Sequence, residues 1–132
     1  MREILFRAKK KEDGKWMFGF PIRVFEYGGD VWTMCPFNSM FEVEESVIPK
    51  TIGQYTGLKD KNGRKIFEGD IVSTDIKRPY NIVEFRDGCF MFNCNDGGDD
   101  YYDIMLPILK EPHTVYEYGE VIGNIYDNPE LI

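Results

Sequence analysis

The stretch Thr51 to Val72, TIGQYTGLKDKNGRKIFEGDIV, constrains the fold more than any other part of the chain. Gly53, Gly57, Gly63 and Gly69 break it at short intervals, and glycine is the residue that takes positive φ without steric cost, so each break marks a turn or bulge. Between the breaks, Ile52, Tyr55, Leu58, Ile66, Phe67, Ile71 and Val72 supply enough apolar side chains to anchor short strands. Lys59, Asp60, Lys61, Arg64 and Lys65 surround Asn62-Gly63 and read as a solvated turn between two buried anchors.

The same residues carry a family likeness. Ile52 to Leu58, Asp60 to Gly63 and Ile66 to Val72, together with Phe6-Arg7-Ala8, Gly14-Lys15-Trp16 and Val121-Ile122-Gly123-Asn124-Ile125-Tyr126-Asp127-Asn128-Pro129, resemble the YopX family of phage and prophage proteins. The resemblance implies a phage origin and a β-rich fold with an SH3-like barrel. It implies no activity and brings no functional residues with it.

Composition agrees with a β-rich chain. Aromatic residues make up 15% of the 132 residues, and with 13 glycines and 7 prolines they favour many short strands over helices. The expected fold is mainly β: an N-terminal antiparallel β-hairpin subdomain over residues 1–47, then an SH3-like β-barrel over 48–132, with little helix. Cys35 to Pro49 is the expected linker, and Asn38 or Ser39 would cap a helical turn there unless Val43 and Val47 draw it into a strand.

Register arguments place the hairpins. A three-residue loop, Glu12-Asp13-Gly14, sets Ala8 opposite Phe18, Phe6 opposite Phe20 and Ile4 opposite Ile22, which puts these aromatic residues in the core. A second hairpin joins Val24–Tyr27 to Val31–Met34 across Gly28-Gly29-Asp30. In a third, the two-residue turn Asp87-Gly88 sets Phe85 opposite Phe90 and Val83 opposite Phe92. Asp70 to Thr74, Ile104 to Leu109 and Gly119 to Tyr126 read as further strands, and Asn93 to Asp103 as a polar loop.

Charge limits the partners. The net charge of -7 argues against unspecific binding to a phosphate backbone, which depends on Lys and Arg releasing counterions. Its distribution is uneven. Residues 1–24 hold seven basic and three acidic residues, net +4, while 89–132 hold one Lys against nine acidic residues, net -8. Such opposed ends suit contact between copies or two solvated faces. Lys9, Lys10, Lys11 and Lys15 at the first hairpin tip, and Lys77, Arg78 and Tyr80 further on, are the residues placed for an interaction with an anionic partner.

No arrangement of catalytic or metal-binding residues emerges, so no enzyme activity, cofactor, metal or small-molecule substrate is expected. Asp70, Asp75, Glu84 and Asp103 are the carboxylates a two-metal site would draw on, but their spacing does not bring them together, and Asp70 after Gly69 suits a turn residue. Asn93 to Asp100 is rich in oxygen ligands yet lacks the calcium-loop pattern. His113, the only histidine, stands apart from Cys89 and Cys94, and the three cysteines match neither a disulfide framework nor a zinc site. Without an apolar leader or membrane-length stretch, the expected location is the bacterial host cytoplasm. The expected role is a non-enzymatic phage accessory protein acting through protein contacts, as a homo-oligomer or on a phage or host protein. A nucleic-acid-binding barrel is the second reading, and a metal-dependent enzyme the third. Nucleic acid is disfavoured because Trp16, Phe18 and Phe20 are assigned to the core, whereas stacking platforms must be exposed.

Overall fold

A computed structural model describes residues 3–26, 29–36, 44–73, 81–95, 100–104 and 119–132. The fold is mainly β. The described residues divide into two compact units, Met1–Tyr55 and Thr56–Ile132.

The first unit is built on β1 (Phe6–Lys9), β2 (Trp16–Glu26), β3 (Gly29–Pro36), β4 (Glu45–Ser46) and the start of β5 (Gly53–Lys59), hydrogen-bonded in the order β4-β3-β2-β1-β5. The expected first and second hairpins share one long strand: β2 runs unbroken for 11 residues past Pro21. It tolerates a residue without an N–H because β1 pairs no further than Gly19, so this side of β2 has become an edge by Pro21.

The ladder then closes. Lys10 bridges Val47, the Lys11 amide donates to the Ser46 carbonyl at 2.9 Å, and the Ile48 amide donates to the Lys9 carbonyl at 2.9 Å. Thr51 locks the return. Its hydroxyl donates to the Ile48 carbonyl at 2.6 Å and accepts the Lys9 amide at 2.9 Å, holding the 3-10 turn Pro49–Thr51 against β1.

The register of the first hairpin differs from the expected one by a residue. Phe6 pairs with Gly19, Arg7 with Phe18, Ala8 with Met17 and Lys9 with Trp16. The loop has four residues, Lys11 to Gly14, closed by the Lys10 amide to the Lys15 carbonyl and the Gly14 amide to the Lys10 carbonyl, each 2.9 Å. Gly14 does take the left-handed conformation, at φ 70°, but Asp13 adds a bond from the Lys15 amide to its carboxylate that fixes the longer loop. A one-residue slip moves a whole strand's side chains to the other face. The core accordingly holds Ala8, Met34 and Val47, with Phe6, Met17, Trp32 and Ile52 against them. Phe18, Phe20 and Ile22 lie outside it.

The second unit contains the rest of β5, then β6 (Lys65–Phe67), β7 (Asp70–Ser73), β8 (Asn81–Arg86), β9 (Cys89–Asn95), β10 (Asp100–Ile104) and β11 (Glu120–Asn124), with one sheet in the order β10-β9-β8-β7-β11. Its core is Ile66, Val72, Val83, Phe92 and Val121, lined by Leu58 and Phe90. The Asp87-Gly88 hairpin has the expected register, Phe85 opposite Phe90 and Val83 opposite Phe92. Both turn residues have positive φ, 51° and 82°, as a type I′ turn requires. The expected polar loop is shorter than 93–103. Asn93 to Asn95 end β9, and Asp100 to Ile104 pair back on it as β10. The expected strand Ile104–Leu109 lies, beyond its first residue, outside the described residues.

Candidate functional site

Residues opposite one another on neighbouring strands share a face, so the register assigns the outer face of the first sheet. Arg7 and Lys9 on β1 stand beside Phe18 and Trp16 on β2, and Phe20 and Ile22 stand beside Cys35 and Thr33 on β3. Phe18 is 47% exposed, Phe20 40% and Ile22 38%. Three large apolar side chains thus form one exposed row at every second residue of a strand paired along both sides over part of its length.

The row has a cationic end. The Arg7 guanidinium lies 4.5 Å from the centre of the Trp16 ring and the Lys9 ammonium 5.5 Å from it, both within the reach of cation–π attraction. Arg7 is itself buried. At the adjoining tip, Lys10 pairs with Asp13 at 3.4 Å, while Lys11 and Lys15 are exposed and have no ion pair among the described residues. The Asp13 carboxyl is held below its ordinary value of 3.8, chiefly by the bond from the Lys15 amide, which outweighs the cost of desolvation, with the Lys10 and Lys15 charges adding to it. Four of the basic residues expected from the sequence therefore gather at this end, one of them neutralised locally. Lys77, Arg78 and Tyr80 lie outside the described residues.

The second unit spends its motif polar groups on its own backbone. Asp60, buried, accepts the Asn62 amide at 2.9 Å and the Arg64 amide at 2.8 Å on one oxygen, and the Val121 amide at 3.0 Å on the other. Asp70, also buried, accepts the Phe67 amide at 2.7 Å. Asn124 accepts the amides of Tyr126 and Asp127 at 3.0 and 2.9 Å, and the Asn128 side-chain oxygen accepts the Asn124 amide at 3.2 Å. These are turn-closing arrangements, in which a short polar side chain replaces the partner that a strand would have supplied.

Those turns are the ones that carry the family likeness, and the family model for YopX protein matches residues 5–132, nearly the whole chain. The chain belongs to the YopX family. Its fold is also similar to that of protein EF1440 from Enterococcus faecalis, known from a crystal structure, with a TM-score of 0.50 and 22% identity over 99% of both chains. Comparison with the curated proteins finds no match.

The remaining candidates of this YopX chain are scattered. Glu84 accepts the Asn93 side-chain amide at 3.2 Å and lies 3.8 Å from Arg86. Asp75 and His113 are outside the described residues, as are the side chains of Cys94 and Asp103. Cys89 places its sulfur 3.6 Å from the Arg86 carbonyl oxygen. Among the described residues, no three of the His, Cys, Asp and Glu side chains come together, and no helix is long and apolar enough to cross a membrane. Sequence reasoning missed the outer row because it sent Trp16, Phe18 and Phe20 of β2 inward. The signal that would have found it is Met17 with Gly19 and Pro21, a face as suited to a tight core as the aromatic one.

Proposed function

We propose that this YopX family member is a non-enzymatic accessory protein of a phage or prophage, acting in the host cytoplasm by binding another macromolecule with the outer face of its first sheet. The exposure of Phe18, Phe20 and Ile22 in one row carries the reading, because apolar side chains gathered on a surface mark places of contact. The way Asp60 and Asp70 are used supports the non-enzymatic part, since both carboxylates are taken up by backbone amides, of their own turns and, for Asp60, of the last strand. A protein partner, another copy included, is the first version. The opposed charge of residues 1–24 and 89–132 favours contact between copies. A nucleic acid is the second version, and one observation favours it: Phe18 and Phe20 of β2 are exposed, which removes one of the grounds on which the sequence disfavoured it and leaves the net charge of -7 against it.

The test makes no assumption about the partner. A photo-crosslinking phenylalanine replaces Phe20 in one protein and Phe85, a more exposed residue of the second unit, in another, and both are irradiated in bacterial cells. Adducts from position 20 that position 85 does not give are expected. Equal adducts from both positions, or none from position 20, would overturn the reading. Light scattering at low and high salt addresses self-association: a multimer that weakens with salt supports it, and a monomer in both removes it.

A further inference from the structure

We propose that Asn62 is a site of covalent modification: when the turn around Asp60 opens, the Asn62-Gly63 pair deamidates through a cyclic imide, and the product does not restore the hold on β11. The turn then releases the last strand without recapturing it. The inference is independent of the binding face on the first unit.

The reaction needs a side-chain amide followed by an unhindered backbone nitrogen. Asn62-Gly63 is the only Asn-Gly pair in the sequence. Gly63 has no Cβ to screen its nitrogen, and nothing lies within 4 Å of the place a Cβ would take. Asn62 is exposed, so water reaches it. The other asparagines are worse placed. Asn81 and Asn124 are buried and precede isoleucine, Asn38, Asn93 and Asn95 precede residues with a Cβ, and Asn128 precedes a proline, which has no N–H to attack with.

In the reaction the Gly63 amide gives its proton to a base in solution, and its nitrogen attacks Asn62 Cγ. The new N–Cγ bond closes a five-membered ring. The Cγ–Nδ2 bond breaks, and the side-chain nitrogen takes up a proton and leaves as ammonia. Water then opens the ring at either carbonyl. One product is an aspartate in the ordinary backbone; the other is an isoaspartate, whose backbone runs through Cβ and Cγ and is a carbon longer. Water is the only co-reactant.

The folded turn restrains both reacting groups. The Gly63 N–H donates to the Asp60 carbonyl at 2.9 Å, which occupies the proton that must leave. The Asp60 carboxylate accepts the Asn62 amide at 2.9 Å and the Arg64 amide at 2.8 Å, so the backbone is fixed on both sides of Gly63. The departing Nδ2 donates to Glu120 Oε1 at 3.4 Å, a long and exposed bond that adds little. Asp60 is therefore the main restraint, and it is the same carboxylate that accepts the Val121 amide at 3.0 Å. Release of the turn and release of β11 are thus a single event of local unfolding.

Both products oppose reclosing. The aspartate puts a carboxylate oxygen opposite Glu120 where an N–H donor stood, a like charge in place of a hydrogen bond. The isoaspartate lengthens a turn closed by the bond from Gly63 to Asp60 and displaces the amides that the Asp60 carboxylate accepts.

The experiment keeps the full chain in warm, mildly alkaline buffer, with and without urea, and follows by mass spectrometry the gain that marks an amide turned into an acid. Peptide mapping should place the gain at Asn62, and Asn62→Gln should abolish it, because a glutamine has to close a larger and slower ring. The chain unfolded in urea should deamidate about tenfold faster or more, the least that losing a hydrogen bond to a charged acceptor does to an opening equilibrium. Below the unfolding midpoint, added urea should accelerate deamidation and hydrogen exchange of the Val121 amide together, while the amides of the β8–β9 hairpin stay protected. Protein aged in buffer and purified by ion exchange should exchange its Val121 amide faster than fresh protein. A folded chain that gains mass as fast as the unfolded one, a gain placed elsewhere than Asn62, deamidation that does not follow Val121 exchange, or aged protein with Val121 as protected as before would overturn the inference.

Discussion

Asp60 and Val121 are 61 residues apart in the chain and joined by a hydrogen bond of 3.0 Å, in which the Val121 amide donates to a carboxylate that also closes the Asn62-Gly63 turn. One buried side chain thus decides both the shape of a loop and the seat of the last strand. The motif Lys59-Asp60-Lys61-Asn62-Gly63 is, in physical terms, a clamp on β11.

Removing that clamp should unfold the second unit early. Asp60→Ala strands three buried or half-buried amides, and hydrogen bonds to a charged acceptor contribute about 1.5–3 kcal/mol each at most, so a loss of roughly 3 kcal/mol overall is expected. Asp60→Asn retains the acceptor for one side of the turn and should lose less. Urea denaturation followed by circular dichroism measures both. Equal stability of the wild type and Asp60→Ala would show that the carboxylate contributes nothing.

Gly123 makes a different demand. A Cβ there would stand 2.5 Å from the Asn128 side-chain oxygen and 2.7 Å from its Cγ, so Gly123→Ala must push aside the group that holds the Asn124 amide. A cost of about 2 kcal/mol is expected, and adding Asn128→Ala should recover part of it because the two effects share one contact. Gly14→Ala meets open space but requires φ near 70° of an alanine, at about 1 kcal/mol. Thermal denaturation of the wild type and these three variants separates the clash from the backbone strain.

The corrected faces of β2 can be read from a pair of truncations. Met34 is fully buried, and Met34→Ala should cost about 2–5 kcal/mol. Phe18→Ala, despite the larger side chain, should cost less than about 1 kcal/mol. The opposite ranking would restore the register with Phe18 inside.

Acid should release the hairpin tip only below the pH at which ordinary carboxylates protonate. Asp13 titrates below 3.8 in the folded protein because the Lys15 amide and the Lys10 charge favour its ionised form. Its contribution is present above the unfolded value and is lost as the pH falls through the lower folded one. In a carbon-detected NMR titration, the Asp13 carboxyl and the Lys15 amide should shift together with a midpoint below 3.8, and Lys15→Ala should leave the midpoint low while Lys10→Ala raises it slightly. A midpoint at or above 3.8 would contradict the bond.

What could be read from the sequence was decided by local geometry. Asp87-Gly88 allows one turn type, and the pairing of Val83 with Phe92 follows from it without knowledge of the rest of the chain. At Gly14 the same reasoning finds the left-handed residue but not the loop length, because an Asp13 side chain bonding to the Lys15 amide makes a longer loop as good as a shorter one. That single residue of loop length decides the face of Trp16, Phe18 and Phe20, and with it the candidate site. The Lys10–Val47 bridge and the Asp60–Val121 bond join residues far apart in the chain, where no spacing or alternation announces them. The turn role of Asp70 was readable, since Gly69 ahead of it leaves a short polar side chain close to the Phe67 amide.

The closing of the first sheet at Lys10 and Val47 also dictates how anything can approach it. Partner segments often dock by extending a sheet, lending their own backbone to a strand with vacant amides and carbonyls. β1 has none to offer over Phe6 to Lys9: β2 occupies one flank, and Gly53-Gln54 with Ser46 to Ile48 occupy the other. A visitor to Trp16 and Phe18 must therefore arrive from above and be chosen by side chains alone, so its recognition depends on the flatness and charge of what it presents, and strand-to-strand addition is left to the stretch of β2 from Pro21 onward, where β1 no longer covers the edge.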